Sequence, residues 1–189
     1  MTVKDQKRGR PKSGSSQLSA ERILTIAKSM MRESGKVPSI RGLATELGVD
    51  AMAIYHYFKN KNDLLESITV SLVGEVALPQ QNQVWQENLY QLSVSYLSVL
   101  NDYRGLLETL LTMQSLGPVE VFSERFEAVM SPLELTSEQT EDALHLLVDY
   151  LHGYALALNC YPERAEITVE MVIKPLGLYC LAIEQLKSQ

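Results

Sequence analysis

Residues 39–61 read SIRGLATELGVDAMAIYHYFKNK, and this stretch decides the fold. Ile40, Leu43, Ala44 and Leu47 fall at i, i+3, i+4 and i+7, the period of a helix with one buried stripe. Gly48 follows where the chain must turn sharply, because glycine takes a positive φ without steric penalty. Val49 plugs the turn, and Asp50 is placed to accept backbone N–H groups as the N-cap of a second helix. In that second helix Ile54, Tyr57 and Phe58 face inward, while Ala51, Met52, Tyr55, His56 and Lys59 face outward. Two helices crossing steeply over a glycine-containing turn form a helix-turn-helix, whose second helix fits the major groove of DNA. The same spacing would also serve an αα-hairpin that only packs.

Leu43-Ala44, Leu47-Gly48-Val49, Ile54-Tyr55, Phe58-Lys59-Asn60-Lys61 and Leu64-Leu65 decide between these readings. Their types and spacing resemble the DNA-binding domain of the tetracycline-repressor (TetR) family of bacterial transcription regulators. The resemblance covers residues 18–68. Beyond residue 70 it is architectural only: a helical domain of the expected length. It implies an all-α protein with a three-helix head at residues 18–66. The charged, Ser- and Gly-rich composition of residues 1–17 reads as a disordered basic arm. A helical body for effector binding and dimerisation would occupy residues 67–189.

Charge agrees independently. The net charge of −6 looks wrong for a DNA binder until it is mapped along the chain. Residues 1–65 hold 12 Lys/Arg against 6 Asp/Glu, and residues 66–189 hold 5 against 17. A basic head attracts phosphates, and an acidic body keeps the remaining surface off DNA. At 189 residues the chain can bury a substantial core. The sequence holds no apolar run of spanning length and no apolar signal region, so a cytoplasmic protein is expected, away from membranes. Cys160 and Cys180 read as small buried apolar residues rather than a disulfide.

The arm contains Lys7-Arg8-Gly9-Arg10-Pro11-Lys12, similar to an AT-hook. Glycine lets the backbone approach the floor of the minor groove, and proline holds an extended path. Arg8 and Arg10, with Lys12 beside them, suit a narrow A/T groove where negative potential is deepest. A basic tail that only solubilises is the alternative.

In the head, a first helix from Ala20 to Glu33 is expected, with Ser19 as N-cap and Gly35 just past its end. Ser39 is the N-cap of the next helix, and the resemblance implies that this position touches phosphate. Arg41 faces outward and can clamp phosphate or pair with a guanine edge. The groove-facing start of the recognition helix is Ala51-Met52-Ala53, without a Gln, Asn or Arg to bond a base. Such small apolar groups sense thymine methyls and shape, so an A/T-rich, palindromic operator is expected. The resemblance implies that the Tyr55 and Tyr57 phenols meet the DNA backbone, and Lys59 and Lys61 are point charges suited to phosphate. Asn60 and Asp63 form a capping box opening a linking helix that runs on to Pro79.

Breakers at Pro79, Gly117-Pro118, Pro132 and Pro162 divide the body into helices near 82–101, 102–115, 119–130, 137–159 and 164–187. Thr136 and Gln139 form a capping box for the long fourth one, and Pro175 should kink the last. The long helix is apolar nearly all round in its second half and carries Gly153 in its middle, where another helix should approach closely. Leu151, Gly153, Tyr154, Ala157, Leu178 and Leu181 are the candidate residues of a homodimer interface, the four-helix arrangement that the resemblance implies. The resemblance also implies a small-molecule effector. Trp85, Tyr90, Tyr96, Met113, Phe122, Phe126 and Tyr150 are candidates to line its pocket, although core packing explains most of them equally well. His145, Asp149 and His152 share one helix face, but three donors on a polar edge do not call for a metal. No nucleophile–base pair, phosphate loop or paired catalytic carboxylates is present, so neither an enzyme nor a cofactor is expected. The expected function is a repressor released from its operator by a small molecule. The alternatives are a regulator whose body only dimerises and a protein-interaction module with a vestigial head.

Overall fold

Three short helices pack first. In the computed structural model, which describes residues 18–160 and 167–186, α1 spans Ala20–Ser34, α2 Ile40–Leu47 and α3 Ala51–Tyr55. The arm with Arg8, Arg10 and Lys12 lies outside the described residues. Each expected cap is formed. Ser19 Oγ accepts from the Arg22 amide at 3.2 Å, Ser39 Oγ from Gly42 at 3.0 Å and Asp50 Oδ1 from Met52 at 2.8 Å. Gly48 closes α2 in the left-handed region, φ 67°, which leaves its N–H free to bond back to α2 carbonyls. Ile23, Ala27, Met31, Leu43, Ala44, Ile54 and Phe58 bury the inner faces against one another.

The recognition helix is shorter than its pattern suggested. It ends at Tyr55, and the amides of Tyr57 and Phe58 both bond to the Ile54 carbonyl in the following turn. The helical register that would carry Tyr57 inward stops before it. Phe58 is buried, but Tyr57 is 43% exposed. Its hydroxyl donates to the Leu18 carbonyl at 2.6 Å and ties the entry of α1 to the turn.

α4 spans Lys61–Val73 and joins head to body. Asn60 Oδ1 accepts from the Asp63 amide at 3.0 Å, and Asp63 Oδ2 accepts from the Lys59 amide at 2.7 Å. The helix stops at Val73 instead of reaching Pro79: the amides of Glu75 and Val76 bond three residues back, to Leu72 and Val73, which tightens the last turn. The body comprises α5, Trp85–Asp102; α6, Leu106–Thr112; α7, Gly117–Met130; α8, Ser137–Cys160; and α9, Ile173–Leu186, which follows a 3-10 turn at Val169–Val172.

Three boundaries of the body differ from the expected ones, one through a tertiary contact and two through proline. The segment expected at 102–115 shortens because residues 103–105 turn against the end of α1. A Cβ on Gly105 would lie 2.9 Å from the Gly35 carbonyl oxygen, so only glycine fits there. α7 begins at Gly117 because Pro118 sits in its first turn, where its missing N–H has no helical partner to lose. Pro175 likewise falls in the first turn of α9, so it starts the helix and does not kink it. The Thr136–Gln139 box is reciprocal, at 2.9 and 3.2 Å. α5 lies at the centre of the body and packs on α7, α8 and α9, while α4 packs most extensively on α7.

Candidate nucleic-acid interface and effector body

Most of the residues expected to contact DNA are exposed on the head. Met52 is 65% exposed and Tyr55 41%, and the side chains of Ser39, Arg41, Lys59 and Lys61 are also exposed. Ala51 and Ala53 are half-buried, as small residues at a helix start must be when the helix lies on its neighbour. The Ser39 hydroxyl caps α2 by accepting, which leaves its O–H free to donate to a phosphate. Tyr57 is already engaged with Leu18, which distinguishes it from Tyr55.

The joint between head and body is polar and specific. Lys28 of α1 pairs with Glu75 at 2.7 Å and donates to Ser71 Oγ at 3.1 Å. Arg32 pairs with Asp102 at 2.9 Å while its guanidinium lies 5.0 Å from the centroid of the Tyr103 ring. Below them, Ser115 Oγ donates to the Glu66 carboxylate, and Thr69 contacts Met113 Sδ at 3.8 Å. Arg125 of α7 donates to the carbonyls of Val73 (2.9 Å), Gly74 (2.8 Å) and Val76. Sequence reading passed over Arg125. A signal was available, since it is one of few cations in an acidic body and stands between the apolar residues Phe122, Phe126 and Val129 of one helix.

Among the candidate effector residues, Tyr96, Phe122 and Phe126 come together inside the body. The Tyr96 and Phe122 rings lie 4.6 Å apart, and Tyr96 Oη is 2.8 Å from His152 Nε2. Burial pushes the Tyr96 phenol far above its ordinary range. Burial also lowers the His152 imidazole, with the nearby Asp149 charge opposing. Both groups are therefore neutral, and the imidazole tautomer sets which of the two donates. His152 turns inward to this bond while His145 and Asp149 remain exposed, so the shared face does not gather as a ligand set. Among the described residues no group of three or more His, Cys, Asp or Glu is placed to hold a metal ion. The Ser93 hydroxyl, on the same helix as Tyr96, is buried without a partner among the described residues. Trp85, Tyr90 and Tyr150 are half-buried, and Met113 lies at the α4–α6 contact, outside the Tyr96 cluster. Cys180 is a buried free thiol, and burial raises its pKa; the Cys160 side chain lies outside the described residues.

The interface candidates divide. Leu151 is wholly inside the protomer, because it follows Leu147 by one turn on the core face of α8. A Cβ on Gly153 would meet nothing within 4 Å, so among the described residues no other helix packs closely on it. The Tyr154 hydroxyl donates to the Thr168 carbonyl at 2.7 Å, and Ala157 is half-buried. Leu178 and Leu181 are 72% and 60% exposed, and Leu146 and Leu156, which the sequence reading did not single out, are exposed on α8.

Comparison with known proteins supports the architecture. The pattern of "Bacterial regulatory proteins, tetR family" matches residues 26–68, and that of "Tetracyclin repressor-like, C-terminal domain" matches residues 78–172. The chain belongs to the TetR family. The class D tetracycline repressor protein of Escherichia coli is 29% identical over 91 residues, which cover 46% of this chain and 42% of that protein. The chain thus matches less than half the length of this curated relative. A TetR variant from Acinetobacter baumannii AYE in complex with minocycline shares the fold at TM-score 0.66 and 19% identity, over 91% of this chain and 96% of that one. BioQ with its natural double-stranded DNA operator does so at TM-score 0.69 and 17% identity, over 89% and 99%. Among the described residues no helix is long and apolar enough to cross a membrane.

Proposed function

We propose that the chain is a DNA-binding transcriptional repressor acting as a homodimer, and that a small molecule bound in its body releases it from a palindromic operator. The observation that carries this reading is the exposure of Arg41, Met52, Tyr55, Lys59 and Lys61 on and beside a capped recognition helix, in a chain of the TetR family. The lysines and Arg41 hold phosphates, and the alanines and Met52 read thymine methyls. The arm residues Arg8, Arg10 and Lys12 add contacts in a narrow minor groove, which makes the operator A/T-rich. Leu178, Leu181, Leu146, Leu156 and the open surface over Gly153 form the face that a second copy covers, and two-fold symmetry then matches two half-sites.

The effector enters beside the Tyr96–Phe122–His152 cluster, whose groups are neutral and aromatic. It acts by preferring the arrangement of heads that does not fit the operator, and it weakens DNA binding by its differential affinity for the two states. Selection from a pool of random duplexes with the full-length protein tests the reading. A two-fold symmetric, A/T-rich site is expected, and enrichment of no site would overturn it.

A further inference from the structure

We propose that Arg125 is a positioning residue for DNA binding, setting the angle at which the head is held on the body. This inference rests on the regulator reading above. The turn at residues 73–76 is gripped from two sides. From the body, the Arg125 guanidinium donates to the carbonyls of Val73, Gly74 and Val76, at and just past the end of α4. From the head, Lys28 pairs with the Glu75 side chain of the same turn at 2.7 Å and with Ser71 one turn earlier. A cation at a helix C-terminus also faces the negative end of the helix dipole. Val73 and Val76 are buried, so the backbone that Arg125 holds cannot shift without repacking.

At its other end Arg125 is carried by a helix whose Phe122 and Phe126 lie in the body's aromatic cluster. Any displacement of Phe122 therefore moves a guanidinium attached to α4, and Lys28 passes that movement to α1. Glu66, held by Ser115, fastens the first half of α4 to the segment leading into α7. A Cβ on Gly117 would lie 3.0 Å from both Glu66 Oε1 and Val70 Cγ2, so the two elements already touch there. α4 and α7 thus move as one piece, and Arg125 is the fastening nearest the head's first helix.

The test uses full-length wild type, Arg125→Gln, Arg125→Lys, Lys28→Gln and the Arg125→Gln/Lys28→Gln pair, each taken through selection from random duplexes. Wild type should recover one spacing between half-sites. Arg125→Gln and Lys28→Gln should each accept spacings one base pair longer and shorter, with the sequence read inside each half-site unchanged. Affinity for the wild-type site should fall roughly two- to thirtyfold, the range of coupling mutations remote from a ligand. The double variant should be no broader than Arg125→Gln alone, because both residues act on one turn, and Arg125→Lys should restore part of the spacing selectivity. Lys28→Gln keeps a polar tip on a half-buried side chain and leaves the core residues unchanged, so it keeps the test decisive if Arg125→Gln melts early. Sharp wild-type spacing in both single variants would overturn the role of Arg125. If wild type itself selects no symmetric site, the regulator reading fails and this inference fails with it.

Discussion

The salt dependence of DNA binding follows directly from the exposed cations of the head. Arg41, Lys59 and Lys61 stand free on the proposed DNA face of each protomer, which places six phosphate-neutralising charges on a dimer. With a slope near −0.9 for each neutralised phosphate, the logarithm of the affinity should fall with the logarithm of salt at about −5. Raising salt about fourfold, from about 50 to about 200 mM, should then weaken binding roughly a thousandfold. The arm's cations can only steepen the slope. Lys61→Gln removes two contacts per dimer and should flatten it by roughly 2 while lowering affinity for all duplexes alike. Fluorescence anisotropy of a labelled duplex carrying the selected site, measured across a salt series for both proteins, gives the slopes. A wild-type slope shallower than about −2, or one that Lys61→Gln leaves unchanged, would refute the assignment of these residues to phosphate.

Asp50→Ala removes the N-cap of α3 and should destabilise the protein by about 0.5–2 kcal/mol, read as a lower urea midpoint, with Asp50→Asn recovering most of it. Gly153→Leu should shift sedimentation toward monomer, because a Cβ there meets nothing within 4 Å among the described residues and the added bulk projects toward the second copy. An unaltered dimer would move the interface elsewhere. His152 has its pKa held below the unfolded value by burial, so the unfolded chain binds the proton first. Its contribution is therefore present above the unfolded pKa of about 6.5 and is lost as pH falls below it. Urea midpoints should drop between about pH 7.5 and 5.5, and His152→Gln should flatten that drop.

The sequence by itself determined the local elements of the head. Ser19, Ser39, Asp50 and Asn60 each cap the helix that follows, and Gly35 and Gly48 each end one, because caps and left-handed turns depend on a few adjacent atoms. The apolar period likewise marked Ile23, Leu43, Ala44 and Ile54 as core, and the charge split marked the end that meets DNA. Tertiary contact decided the rest. Tyr57 lies outside because α3 ends before it, and the Val73 carbonyl at the end of α4 accepts from a guanidinium more than fifty residues away along the chain. Gly105 is required by the Gly35 carbonyl, and His152 faces Tyr96 instead of its neighbours on the helix. Each of these depends on which elements meet across the fold. A pattern with a period of a few residues carries no information about partners that distant in sequence.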